Sequence, residues 1–143
     1  MSEDLLEDNL ELWSEKIHKE VNPILEEIKN HPFIKKMMDG TLPLEKFGKY
    51  IGQDIFYCKE YSTSLNILSE KIKDKSQEGE QFFKKGANGC IELIDFLKKE
   101  YVEKLKLKEE KEISPVCQKY IDFERNNSMK SLPEGLAACL ACY

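Results

Sequence analysis

The chain has 143 residues, 41% of them hydrophobic and 34% charged, which suits one globular domain with a real core and excludes a disordered segment. Its 22 Lys+Arg against 27 Asp+Glu leave a formal charge of −5, which argues against the clustered positive charge a nucleic-acid backbone requires. The longest apolar run falls far short of a bilayer, and the N-terminus MSEDLLEDNLE is acidic where a secretion signal is basic. The reading is of a cytoplasmic chain with no membrane and no nucleic-acid partner.

Period-two alternation is absent and helical periodicity runs throughout. Leu6, Leu10, Trp13, Ile17, Val21, Ile24 and Ile28 step along one stripe, so residues 3–29 are expected to form an amphipathic helix bent at Pro23, with Trp13 in the core. His31 with Pro32 reads as an N-cap followed by Pro at the first helical position, and Gly40 as the end of that short helix. Pro43 opens a long helix through Phe47, Ile51, Asp54, Tyr57, Tyr61, Leu65, Leu68 and Ile72. The charged KDKSQEGE (residues 73–80) interrupts the pattern before another helix from about Glu80 to Lys108. Within it EKLKLKEEKE (103–112) interleaves both charges, as a solvated face does.

Ser114-Pro115 marks the next helix start and Asn126-Asn127 its stop. Ser131 and Glu134 have capping-box spacing ahead of the apolar run GLAACLACY. That run carries no stop signal, so the expectation is the N-terminal part of a longer all-α bundle, organised here as a single domain over residues 1–143.

Five cysteines without a secretory signal are expected to be free thiols, most of them buried apolar residues. Cys139 and Cys142 form a C-x-x-C, but no second pair completes a zinc set and no strand precedes it as in thioredoxin-like motifs. No metal and no cofactor is therefore expected. The more suggestive constellation is Asp54, Tyr57, Cys58 and Tyr61, which at i, i+3, i+4 and i+7 share one helix face. A carboxylate among aromatics, with Phe56 and Phe47 flanking, suits a flat cationic or amidine-like ring. The same spacing also fits a surface acid beside core aromatics. Tyr120 shares a face of its helix with Cys117 and Glu124.

HPFIKKMMDGTLPLEKFGKYIGQDIFYC (residues 31–58) resembles the signature block of the TenA family, or thiaminase II, of aminopyrimidine aminohydrolases. SPVCQKY (114–120) and GLAACLACY (135–143) resemble later blocks of that family, in the same order. The resemblance implies a haem-oxygenase-like all-α fold, usually a homotetramer. It implies hydrolysis of 4-amino-5-aminomethyl-2-methylpyrimidine, or less well of thiamin, to the hydroxymethylpyrimidine in thiamin salvage. By the same resemblance Asp54 hydrogen-bonds the pyrimidine, Tyr57 and Tyr120 line its pocket, and Cys142 is the nucleophile.

The residue before the nucleophile, usually Pro, is Ala141, and GANGCIELIDFLKKE (86–100) lacks the Glu and His the family often carries there. The family also continues for several helices beyond the equivalent of Cys142, with a second active-site tyrosine and a proton-shuttling glutamate. The alternative expectation is accordingly a catalytically inactive, pyrimidine-binding or oligomeric scaffold protein. A relative of the quinone-cofactor synthesis enzyme would need a basic, histidine-rich pocket, and the chain has two histidines.

Overall fold

The computed structural model describes residues 12–142, and all regular elements among them are helical. In order they are α1 (Trp13–Asn30), α2 (Pro32–Met38), α3 (Leu44–Ile72), α4 (Gln77–Leu97), α5 (Pro115–Met129) and α6 (Leu132–Cys139). A π-helical segment, Lys98–Glu103, continues α4, and a 3-10 turn, Leu140–Cys142, continues α6. None of these helices is long and apolar enough to cross a membrane. The chain divides into two compact units, Met1–Leu42 and Pro43–Tyr143.

In the first unit α1 continues through Pro23. The expected start at residue 3, with Leu6 and Leu10, lies outside the described residues. Trp13, expected in the core, is 68% exposed, because a unit of two helices offers the α1 stripe little to pack against. His31 caps α2 as its position suggests: its Nδ1 accepts from the Phe33 N–H at 3.1 Å. Past α2, Asp39 accepts from the backbone N–H and hydroxyl of Thr41 at 2.9 and 2.6 Å, and Gly40 takes φ +75°, a turn conformation costly for other residues.

The second unit is organised by α3, which packs against α4, α5 and α6. Its core comprises Tyr61, Leu65, Leu68, Phe83, Ala87 and Cys139. Two α3 serines donate to backbone carbonyls of α4, Ser62 to Ala87 and Ser69 to Glu80, both at 3.0 Å. The polar groups on this face are thus satisfied while the helices stay close.

Three boundaries differ from the sequence reading. Helix α4 begins at Gln77, inside the charged stretch, because Ser76 Oγ accepts from the Gly79 N–H at 3.0 Å and so supplies a cap. At its other end regular α-helix stops at Leu97, and Lys106, with φ +51°, lies in the left-handed region that ends helical propagation. Helix α5 runs through Asn126-Asn127 to Met129, since Asn127 Nδ2 donates back to the Phe123 carbonyl at 2.7 Å and stays within helical geometry. Ser131 caps α6 as expected, accepting from the Glu134 N–H at 3.3 Å and donating to Glu134 Oε2 at 2.7 Å.

An extended strap, residues 107–114, joins the π-helical segment to α5 across the face of α3. Leu107 sits over Gly48, where a Cβ would be in ordinary contact at 3.5 Å, and Glu110 presses so closely on Gly52 that any side chain there would displace it. Gln53 then clamps the strap with both ends of its amide. Its Nε2 donates to the Glu112 carbonyl at 3.0 Å, and its Oε1 accepts from the Ser114 N–H at 2.8 Å. Ser114 is the N-cap of α5, so Gln53 sets where α5 begins.

Candidate functional site

Four helical segments bring polar and aromatic groups to one end of the second unit. From α3 come Asp54, Tyr57, Cys58 and Tyr61, on the shared face that their spacing predicts. The Tyr57 ring lies parallel to Tyr61, with centroids 5.3 Å apart, and parallel to Tyr120 of α5, at 5.4 Å. Such stacked pairs contribute about 0.5–1.5 kcal/mol beyond their buried area and hold the rings against rotation.

Each phenol hydroxyl is aimed at a different partner. Tyr61 donates to the Cys139 carbonyl at 3.0 Å, and Tyr57 donates to Glu124 Oε1 at 2.9 Å. The Tyr120 hydroxyl lies 3.1 Å from Cys142 Sγ and also engages the Glu124 carboxyl. The Tyr57 hydroxyl in turn lies within reach of Cys142. Two hydroxyls, one carboxyl and one thiol therefore converge.

Electrostatics sharpen the picture. Burial pushes the Asp54 carboxyl above the usual carboxylate range, and no donor or cation among the described residues pulls it back. Glu124, 1% exposed, is likewise raised by burial, with the Tyr57 and Tyr120 hydroxyls opposing the shift. The Tyr57 and Tyr120 phenols are driven upward by burial and by their anionic neighbours, so they remain protonated donors. Cys58 is pushed up to about 12 by burial and then by Asp54, which makes it an inert core thiol. Cys58 and Cys90 both feel Asp54 and Cys142, so the carboxylate and the exposed thiol share a neighbourhood. A cluster of one buried and one half-buried acid with donor hydroxyls is suited to a ligand bearing N–H groups or positive charge.

Of the residues the sequence singles out, Tyr57, Tyr120 and Cys142 meet directly, and Asp54 lies one helical turn from Tyr57. Cys139 and Cys142 are free and face apart: Cys139 is buried, 3.6 Å from Ser128 Oγ, while Cys142 is exposed towards Tyr120. No cluster of three metal-ligating side chains occurs among the described residues. Phe56, expected beside the carboxylate, instead lines a cavity of about 230 Å³ with Gly52, Ile55 and Ile94, because a residue two positions from Asp54 points to the far side of the helix. Phe47 packs edge-on against Tyr101 at 5.4 Å.

Sequence reasoning missed Glu124 and Gln53. The i, i+4 step from Tyr120 to Glu124 was visible, but a lone glutamate on a charged helix reads as solvent-facing. Only the approach of Tyr57 from α3 reveals its burial.

Residues 18–143 match the model of the TENA/THI-4/PQQC family. The chain belongs to that family. Its all-α architecture is the family's helical, haem-oxygenase-like fold. Among similar proteins is the aminopyrimidine aminohydrolase of Bacillus subtilis (strain 168), 30% identical over 79% of this chain and 49% of that protein. A second aminopyrimidine aminohydrolase, from Staphylococcus saprophyticus, is 31% identical over 64% of this chain and 43% of its own length. The thiamine biosynthesis multifunctional protein ThiED of Corynebacterium efficiens is 34% identical over 84% of this chain and 16% of that protein. The chain thus spans about half the length, or less, of these family relatives. No solved structure matches it significantly.

Proposed function

We propose that this chain is a hydrolase of thiamin salvage, converting 4-amino-5-aminomethyl-2-methylpyrimidine and water to the hydroxymethylpyrimidine and ammonia, with thiamin as a lesser substrate. Asp54 hydrogen-bonds a ring nitrogen and the exocyclic amine, an amidine-like pair whose geometry matches a carboxylate. Tyr57 and Tyr120 border the ring. The Cys142 sulfur adds to an electron-poor ring carbon, a ring nitrogen takes up the displaced electron pair, and the exocyclic C–N bond breaks as the amine leaves with a proton. Water then adds to the exocyclic carbon, and the C–S bond breaks to regenerate the thiol. One difficult displacement becomes two easier ones. The reading requires no metal and no cofactor, and it carries the cytoplasmic setting read from the sequence and the homotetrameric assembly that the family resemblance implies.

The observation that carries this reading is the thiol of Cys142 held 3.1 Å from the Tyr120 hydroxyl, in the same neighbourhood as the half-buried Asp54 carboxyl, which has no hydrogen-bond partner or cation among the described residues. The names of the Bacillus and Staphylococcus relatives add support. The test is ammonia release from the aminomethylpyrimidine alongside binding by calorimetry, with Asp54→Asn as the control. Turnover by the full chain, lost about a thousandfold or more in Asp54→Asn, is the expected result. Binding without turnover favours the alternative, an inactive pyrimidine-binding or oligomeric scaffold protein.

A further inference from the structure

A glutamate with 1% exposure is an expensive choice for a helix interior. Glu124 has no ion pair with a cation among the described residues. Among the described residues, Tyr57, Tyr61, Cys90, Tyr120 and Cys139 are in electrostatic reach of it, each a neutral acid. Its partners are the Tyr57 hydroxyl at 2.9 Å and the Tyr120 hydroxyl, and the latter sits 3.1 Å from Cys142 Sγ. A phenol can donate to one neighbour while accepting from another. The order of groups, carboxyl, hydroxyl, thiol, is therefore a continuous path for a proton.

We propose that Glu124 is the proton acceptor for Cys142, acting through the Tyr120 hydroxyl. The inference rests on the reading of Cys142 as a nucleophile and assigns the group that takes its proton. In the step, the S–H proton passes to the Tyr120 oxygen while the Tyr120 O–H proton passes to the Glu124 carboxylate. Sulfur keeps its electron pair and becomes thiolate, Tyr120 is unchanged, and the net event is one proton moved from thiol to carboxyl. Among the described residues, Tyr57, Cys58, Tyr61, Cys90, Tyr120 and Cys139 are in electrostatic reach of Cys142. The thiolate is the nucleophilic form of a cysteine, so the attack calls for a base that takes the sulfur's proton. Asp54, which is half-buried, has no such hydroxyl link to the sulfur among the described residues. Glu124 is thus a positioning residue, touching the reacting sulfur only through Tyr120.

Alkylation of Cys142 by iodoacetamide tests this without any hydrolysis. The rate is followed against pH in the full chain, in Glu124→Gln and in Tyr120→Phe, with the site of modification read from fragment masses. A proton shared between two groups titrates in two macroscopic steps, so the native chain is expected to show a plateau in rate between them. Loss of the carboxyl, or of the linking hydroxyl, should leave a single step, the rate falling about tenfold for each pH unit below it. A single-step profile in the native chain, identical to that of folded Glu124→Gln, overturns the relay. A two-step profile in a chain that releases no ammonia keeps the relay and sinks the hydrolase reading, so the two failures are distinguishable.

Discussion

The two halves of α3 share one backbone and have opposite characters. From Tyr61 to Ser69 the inward face is Leu65 and Leu68, fully buried, with serines whose hydroxyls reach α4 carbonyls. From Asp54 to Tyr61 the same face carries an acid, two phenols and a thiol, and meets a second acid, Glu124, from α5. The first half follows the ordinary rule that buried polar groups are paired and apolar groups are packed. The second half breaks it, since Glu124 is buried and Asp54 half-buried with no cation among the described residues to balance either. A long, rigid helix can carry both because the packed half holds the frame in which the strained half is displayed. The comparison teaches that stability and chemistry are divided along one element, and that the chemical half should cost stability.

The division can be broken most strongly in the packed half. Leu68→Ala opens a cavity under α6 and should lower unfolding free energy by about 2–5 kcal/mol, measured by urea denaturation. A loss below about 1 kcal/mol would mean that the region collapses around the gap and frames nothing. Gly52→Ala should come next, at about 1–3 kcal/mol, because Glu110 must leave its seat. The strap and the Gln53 clamp on Ser114 then loosen, and amide exchange at the Ser114 N–H should rise along with the loss of stability.

Legibility of the sequence follows the same division. Helix number, caps at His31, Ser114 and Ser131, and the shared face of Asp54, Tyr57 and Tyr61 were readable because each depends on local spacing and side-chain chemistry. The cap at Ser76 was hidden by surrounding charges, and the passage of α5 through two asparagines depended on where their side chains turned. Glu124 was unreadable for a deeper reason. Its burial is created by Tyr57 from a helix 67 residues away in sequence, and no local pattern encodes a contact of that range. Gln53 shows the same limit, since its amide partners lie in the strap. The pairing of Tyr120 with Cys142 came from family resemblance, not from periodicity.

Smaller effects sharpen the chemical half. Tyr61→Phe removes the hydroxyl from the Cys139 carbonyl and should cost about 1 kcal/mol while leaving the ring stack in place. Glu124→Gln should act in the opposite direction. A carboxyl whose pKa is raised on folding contributes stability below its unfolded pKa, near 4.3, and that contribution is lost as pH rises through the folded value. The native chain should therefore lose stability from mildly acid to neutral pH. Glu124→Gln should gain up to about 1 kcal/mol over it at pH 7, a few degrees in Tm, and little or nothing at pH 4. Thermal melts across that range decide it, and an unstable Glu124→Gln at neutral pH would mark the carboxylate as a fold element.

The central claim is that the sulfur of Cys142 attacks a pyrimidine held by Asp54. Its most direct test is ammonia release from the aminomethylpyrimidine by the full chain and by Cys142→Ser at equal folded concentration. The account predicts turnover by the native chain and none above background by the serine variant, and an equally active Cys142→Ser would contradict it.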